Sequence, residues 1–203
     1  MEFDYPEGST LLDPDEAGGL IPKHIVTHAQ LNEWELTNVL QGERWAFGDL
    51  SRRRRRRFPT RADLLSLHFV RELHIKMFGD TWRWAGTFRT TEKNIGIEAM
   101  QITPSLMNLC EDVKTQLEFS SYPIDEIAAR LSHRFVWIHP FPNGNGRMSR
   151  TFADLILLES GAERFTWGAA NLVDESETRT TYLNALRAAD AKDYQPLLAF
   201  VRS

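Results

Sequence analysis

The run His139-Pro-Phe-Pro-Asn-Gly-Asn-Gly-Arg147 gathers the groups that phosphate chemistry requires. Gly144 and Gly146 allow positive φ and let successive backbone N–H groups approach a ligand closely. A helix beginning near Arg147 would aim its unpaired donors, and the positive end of its dipole, at the same point. Arg147 and Arg150, three apart on the first turn, share one face and offer planar donors matched to phosphate oxygens. Arginine at a helix N-terminus opposes the dipole unless an anion is present, so this placement needs a reason. His139 lies a few residues upstream at a helix end, where an imidazole can take the proton of an incoming hydroxyl while the loop holds a phosphate. Backbone donors facing that phosphate would stabilise the charge that grows in the transition state. By itself Gly-Asn-Gly-Arg also reads as a plain turn whose arginines pair with nearby carboxylates; His139 favours the chemical reading.

Helices on both sides must position this loop. After Pro123, the residues Ile124, Ile127, Ala128, Leu131, Phe135 and Ile138 recur at intervals of three and four, and the stripe ends at His139. Met148, Phe152, Leu155, Ile156 and Leu158 mark the helix that follows. Upstream, Thr103-Pro104 reads as an N-cap with proline at the first helical position, followed by Leu106, Leu109, Cys110, Val113 and Leu117. Thr60-Arg-Ala-Asp63 has capping-box spacing and opens a helix through Leu64, Leu67, His68, Leu73 and Met77 to Gly79. His68 and His74 on it read as packing or surface groups rather than ligands. A further helix runs from Thr27 through Leu31, Trp34, Glu35, Asn38, Val39, Gln41, Gly42 and Trp45. Residues 1–24 read as an extended arm, and Thr87–Ile97 as a short hairpin with glycine at its tip. Between Asp174 and Val201 one or two helices would turn Tyr182, Leu183, Leu186, Leu197, Leu198 and Phe200 inward. The expected fold is all-α, mainly helical, with one short β-hairpin.

Composition sets the outer bounds. A chain of 203 residues, 42% hydrophobic and 26% charged, suits one globular domain with a small extension. The division expected is 1–59 as an N-terminal arm, helix and arginine-rich connector, and 60–203 as the domain that carries the loop. No apolar run of about eighteen residues and no secretory pattern is present, so a soluble, cytoplasmic protein without membrane contact is expected. Cys110 is the only cysteine, which excludes an internal disulfide and points to a buried, inert thiol. A net charge of −4 gives no global case for nucleic acid. The run Arg52–Arg57 is either a patch for nucleic acid or an acidic partner, or a solvated connector, and the acidic chain around it favours the connector.

The run from His139 to Arg150, with Phe141, Asn143, Gly144, Asn145, Gly146 and Arg147, resembles the Fic/Doc signature His-x-Phe-x-acidic-Gly-Asn-Gly-Arg-x-x-Arg. Trp84-Ala-Gly86 with Arg89, and Arg187-Ala-Ala-Asp190 with Asp193 and Pro196-Leu197, are similar to the segments that flank it. Gly8-Ser-Thr, Leu31-Asn-Glu33 and Thr91-Glu-Lys-Asn-Ile-Gly96 are similar to the subgroup called mobile mystery protein B, thought to be encoded beside a helix-turn-helix partner.

The resemblance implies a protein adenylyltransferase that moves AMP from ATP to a Ser, Thr or Tyr hydroxyl of a target protein, a chemistry that also serves toxins held by an antitoxin. His139 would be the general base and Phe141 would pack the loop into the core. Gly144, Asn145 and Gly146 would form the anion hole, with Arg147 and Arg150 on the outer phosphates. Residues 87–97, centred on Lys93, Asn94, Ile95 and Gly96, would be a flap that clamps the target by strand-like pairing. Asn143 departs from the pattern, because an acidic residue there holds Mg2+ and a neutral amide is a weaker ligand for a hard cation. Transfer of UMP, GMP or phosphate, or a catalytically weak nucleotide-binding module, are the alternatives this departure leaves open. Thr37-Asn-Val-Leu-Gln41-Gly42 is similar to the inhibitory helix of the family with glutamine in place of glutamate; Gln41 would then hydrogen-bond Arg150, the other reading being an ordinary helix ending at Gly42.

Overall fold

A computed structural model describes residues 14–52, 61–169 and 175–203. In chain order its helices are α1 (Pro14–Ala17), α2 (His28–Arg52), α3 (Arg61–Leu64), α4 (Leu67–Phe78), α5 (Ile102–Glu118), α6 (Ile124–Ile138), α7 (Asn145–Glu159), α8 (Glu175–Asp190) and α9 (Gln195–Val201).

Thr27 and Gln30 start α2 as a reciprocal cap: the Gln30 N–H donates to Thr27 Oγ1 at 3.2 Å, and Gln30 Oε1 accepts from the Thr27 N–H at 3.1 Å. The buried stripe Leu31, Glu35, Val39, Gly42 and Ala46 then faces α4. A Cβ on Gly42 would lie 2.6 Å from Met77 Cγ and 2.8 Å from its Cα, so glycine is what lets the two helices approach. The helix does not end at Gly42 but runs on to Arg52. Thr60 and Arg53–Arg57 fall outside the described residues. The helix expected from Thr60 to Gly79 is broken at Leu65-Ser66, because Ser66 takes an extended backbone and its Oγ accepts the Phe69 N–H, capping α4 afresh. Likewise α5 begins before Thr103, after a 3-10 turn at Ala99–Gln101. Pro104 therefore sits inside its first turn, where a missing N–H costs nothing.

The short connection 139–144 folds α7 back along α6 as a helical hairpin, and this pair separates two cores. One face meets α2, α4 and α5 through large side chains: Leu73, Met77, Phe78, Leu106, Leu131, Phe135, Met148 and Phe152 are at most 1% exposed. Burying each contributes about 1.5–3 kcal/mol. The other face meets α8 and α9 through Ala128, Ala129, Ala153, Ala185 and Ala189, small residues that allow close approach, with Leu157, Leu197 and Phe200 filling the rest. In α8 the alanines are the buried positions, whereas Tyr182, Leu183 and Leu186 are half-buried. Cys110 is buried in α5, and burial pushes its thiol up to about 11, which keeps it protonated.

Two expectations are corrected. Residues 14–24 are not a loose arm: the Ile21 N–H donates to the Thr81 carbonyl, the Arg83 N–H to that of Gly19, and Leu20 bridges Trp82, so the segment is a strap across 81–84. The hairpin expected over 87–97 is absent, and no strand occurs among the described residues. The carbonyls that a ladder would pair are taken instead by one guanidinium, that of Arg89.

Candidate active site

The loop between α6 and α7 is braced from inside. Asn145 Oδ1 accepts the Phe141 N–H at 2.9 Å and its Nδ2 donates to the Phe141 carbonyl at 2.8 Å, so the side chain is a two-way tie across the loop. Only its backbone is left to serve an anion hole. Phe141 is fully buried and stacks on His74 with ring centroids 3.8 Å apart. His74, 0% exposed, donates from Nε2 to the Asn143 carbonyl and accepts the Gly86 N–H at Nδ1. Burial pulls its pKa down to about 3, and the Arg147 charge acts in the same direction against the bond to Asn143. A neutral imidazole thus fastens the loop to α4 and to Gly86, a bracing role that a histidine on an apolar stripe does not announce.

His139 closes α6 in the left-handed region, φ 54° and ψ 60°, a costly backbone for a side chain with a Cβ. It is 4% exposed. Its Nδ1 lies 3.3 Å from the Val136 carbonyl, an acceptor, which places the proton on Nδ1 and the basic lone pair on Nε2. Burial brings its pKa to about 4; the Val136 bond opposes this, and the charges of Arg89 and Lys93 reinforce it. At neutral pH the ring is therefore uncharged.

Next to it lies a cradle at the start of α7. Gly144, at φ 81°, has the Phe78 ring 2.5 Å from where a Cβ would stand, so no other residue fits. Gly146 is the reverse case: a Cβ there would meet no atom of the described residues within 4 Å. Arg147 lies over the Phe78 ring at 4.9 Å and pairs through Nη1 with Glu35 Oε2 at 2.8 Å. Glu35 is 4% exposed, and its Oε1 accepts from Trp82 Nε1 at 2.6 Å. Arg150 lies 6.0 Å from the Tyr182 ring. Among the described residues, the α2 side chain shown paired with a signature arginine is Glu35, with Arg147, while Gln41 stands on the exposed face. A carboxylate four residues from both Leu31 and Val39 on a buried stripe is the sequence signal that could have found it.

The donor set does not fit a protein-held magnesium ion. Asn143 Oδ1 accepts the Gly144 N–H at 2.6 Å, Glu35 is tied to Trp82 and Arg147, and no cluster of three His, Cys, Asp or Glu is found among the described residues. Of the expected flap, Lys93 is buried in an ion pair with Glu16 of the strap, Asn94 is exposed, and Ile95 is half-buried. Gly96, at φ 100°, lies so close that a Cβ would come within 2.5 Å of His139 Cβ.

Residues 64–157 match the sequence profile of the Fic/DOC family. The chain carries a Fic domain. A protein adenylyltransferase of Caenorhabditis elegans, fic-1, is 29% identical over 143 residues, 68% of this chain but 27% of that protein, so the chain spans little more than a quarter of this curated relative. The fold matches a Fic-domain signaling protein of Bacteroides thetaiotaomicron with a TM-score of 0.66 at 18% identity, covering 88% of this chain and 70% of that one. It also matches the N-terminal Fic domain of a Bartonella quintana effector solved with bound ADP, with a TM-score of 0.63 at 18% identity over 89% and 86% of the two chains. Around this Fic domain, no helix of the described residues is long and apolar enough to cross a membrane.

Proposed function

We propose that the chain is a protein adenylyltransferase that moves AMP from ATP onto a Ser, Thr or Tyr hydroxyl of a target protein. The observation that carries this reading is the juxtaposition of a buried, neutral His139 with an open glycine cradle at the N-terminus of α7. In the step proposed, His139 Nε2 takes the hydroxyl proton as the oxygen attacks the α-phosphorus. The bond from that phosphorus to the bridging oxygen breaks, and pyrophosphate leaves with the electron pair. The backbone N–H groups at the start of α7 face the phosphates and stabilise the charge that develops. Arg150, with the edge of Arg147 that Glu35 does not hold, would bind the outer oxygens. The curated relative named as an adenylyltransferase and the ADP held by a protein of the same fold support this reading.

Asn143 supports a second reading, transfer of UMP, GMP or phosphate, because the amide oxygen is engaged by Gly144 and the usual carboxylate is missing. One experiment separates them. The protein is incubated with a cell lysate and α-labelled ATP, GTP, UTP or CTP, or γ-labelled ATP, beside His139→Ala. AMP transfer predicts label from α-labelled ATP, reduced roughly 100-fold or more in the variant. Label that survives in His139→Ala overturns the mechanism, and label from another donor selects the second reading.

A further inference from the structure

Arg89 is fully enclosed on its side chain and lies between the two segments that a reaction would have to hold together. Its Nε donates to the carbonyl of His139 at 2.7 Å, and its backbone N–H to the next carbonyl, that of Pro140, at 2.9 Å. Its Nη1 donates to the Thr91 carbonyl at 2.9 Å and its Nη2 to that of Ile97. One guanidinium therefore grips both ends of the 91–97 loop and the main chain of the histidine itself. Gly96 completes the contact, because a side chain there would strike both Arg89 Nη2 and His139 Cβ.

Carbonyls at a helix end and in an irregular loop lack ladder partners, and five fixed donors in one plane suit them better than any other side chain. Lysine has the charge but not the fork. His139 meanwhile has a left-handed backbone that needs external support to persist.

We propose that Arg89 is a positioning residue that locks His139 into its left-handed conformation and couples the 91–97 loop to it, so that base and target-docking segment form one rigid unit. The proposal rests on reading His139 as the base. The positive charges facing the imidazole are Arg89 and Lys93, with Glu92 beside Arg89 and Glu16 beside Lys93 as their counter-charges.

Two variants separate the fork from the charge. Arg89→Lys keeps the charge and loses the fork; Arg89→Gln loses both. The His139 imidazole is titrated by NMR in each full-length protein, and self-labelling from α-labelled ATP is followed against pH. In the wild type the His139 pKa is expected near 4, as burial and the two cations imply. In Arg89→Gln it should rise by about one pH unit, carrying the acidic limb of the rate profile with it. Arg89→Lys should hold the pKa within a few tenths of the wild type but lose about tenfold in kcat, with KM for ATP unchanged. Full turnover in Arg89→Lys overturns the proposal, and so do His139 and 91–97 backbone NMR shifts in Arg89→Lys that are the same as in the wild type. If the wild type transfers nothing, the proposed function fails while the backbone NMR shifts of Arg89→Lys still decide whether Arg89 holds His139.

Discussion

The two halves of the loop are built in opposite ways. On the His139 side the main-chain carbonyls and the ring are held: Arg89 grips the carbonyls of His139, Thr91 and Ile97, the Val136 carbonyl meets the imidazole Nδ1, and Gly96 is pressed against the His139 Cβ. On the Gly146 side a Cβ would meet no atom of the described residues within 4 Å, and Arg147 uses one nitrogen on Glu35 while keeping further donors. A base works best when its orientation is fixed before the reaction, whereas a phosphate site needs volume and spare donors. Under the proposed function, the tight half would serve proton transfer and the other half would take the ligand.

The largest test of that contrast is Gly144→Ala, at the junction of the halves. The left-handed backbone and the Phe78 ring together should cost about 3 kcal/mol, read as the shift in a urea or thermal midpoint. A variant as stable as the wild type would mean that the cradle is not braced by α4 as described. Next comes Glu35→Gln, which removes the ion pair with Arg147 while keeping an acceptor for Trp82. It should cost roughly 2 kcal/mol and weaken binding of ADP and ATP more than that of AMP, as calorimetry can show.

Acid stability probes the tight half. Near pH 5 the unfolded chain protonates His74 and His139, which the native fold holds neutral with pKa values of about 3 and 4. Both groups therefore contribute stability that is full above pH 6.5 and falls away as pH drops through the folded values. Asp154, pushed up to about 6 by burial against the N–H groups of Phe165 and Trp167, acts in the other direction: the native state binds its proton first, and stability is lost as pH rises through 6. The net of one proton predicts a stability that falls by about 1.4 kcal/mol per pH unit towards acid. In His74→Gln the slope should be near zero, and in Asp154→Asn about twice the wild-type value. Equal slopes in all three would exclude these groups. The smallest stability effect is expected for Gly146→Ala, within about 1 kcal/mol and in the stabilising direction because alanine is the better helix former. Its ATP affinity should nevertheless fall at least tenfold, since the methyl stands where the ligand would lie. Unchanged binding would place the ligand elsewhere.

What could be read from the sequence was local. The hairpin of α6 and α7 follows from the three-and-four spacing from Ile124 to Leu158, and Phe141 lies in the core as its position in the signature implied. Contacts across long separations could not be read. Arg89 meets His139 across 50 residues and Glu35 meets Trp82 across 47, and neither pairing has a periodic trace. The 87–97 segment was misread because a tip glycine is shared by hairpins and by loops closed on a buried side chain. Gln41 matched a pattern of letters, yet its exposed face belongs to the helix period, which places Glu35 inward instead.

The ion pair between Glu16 and Lys93 closes 77 residues of chain. Closing so long a span costs entropy that only the finished packing can offset, so such a contact forms late in folding. The loop from His139 to Arg147 joins neighbouring helices and closes early. Contact separation alone therefore predicts that the glycine loop between α6 and α7 forms before the strap is tied to the 91–97 loop, an order that pulse-labelled hydrogen exchange during refolding would show.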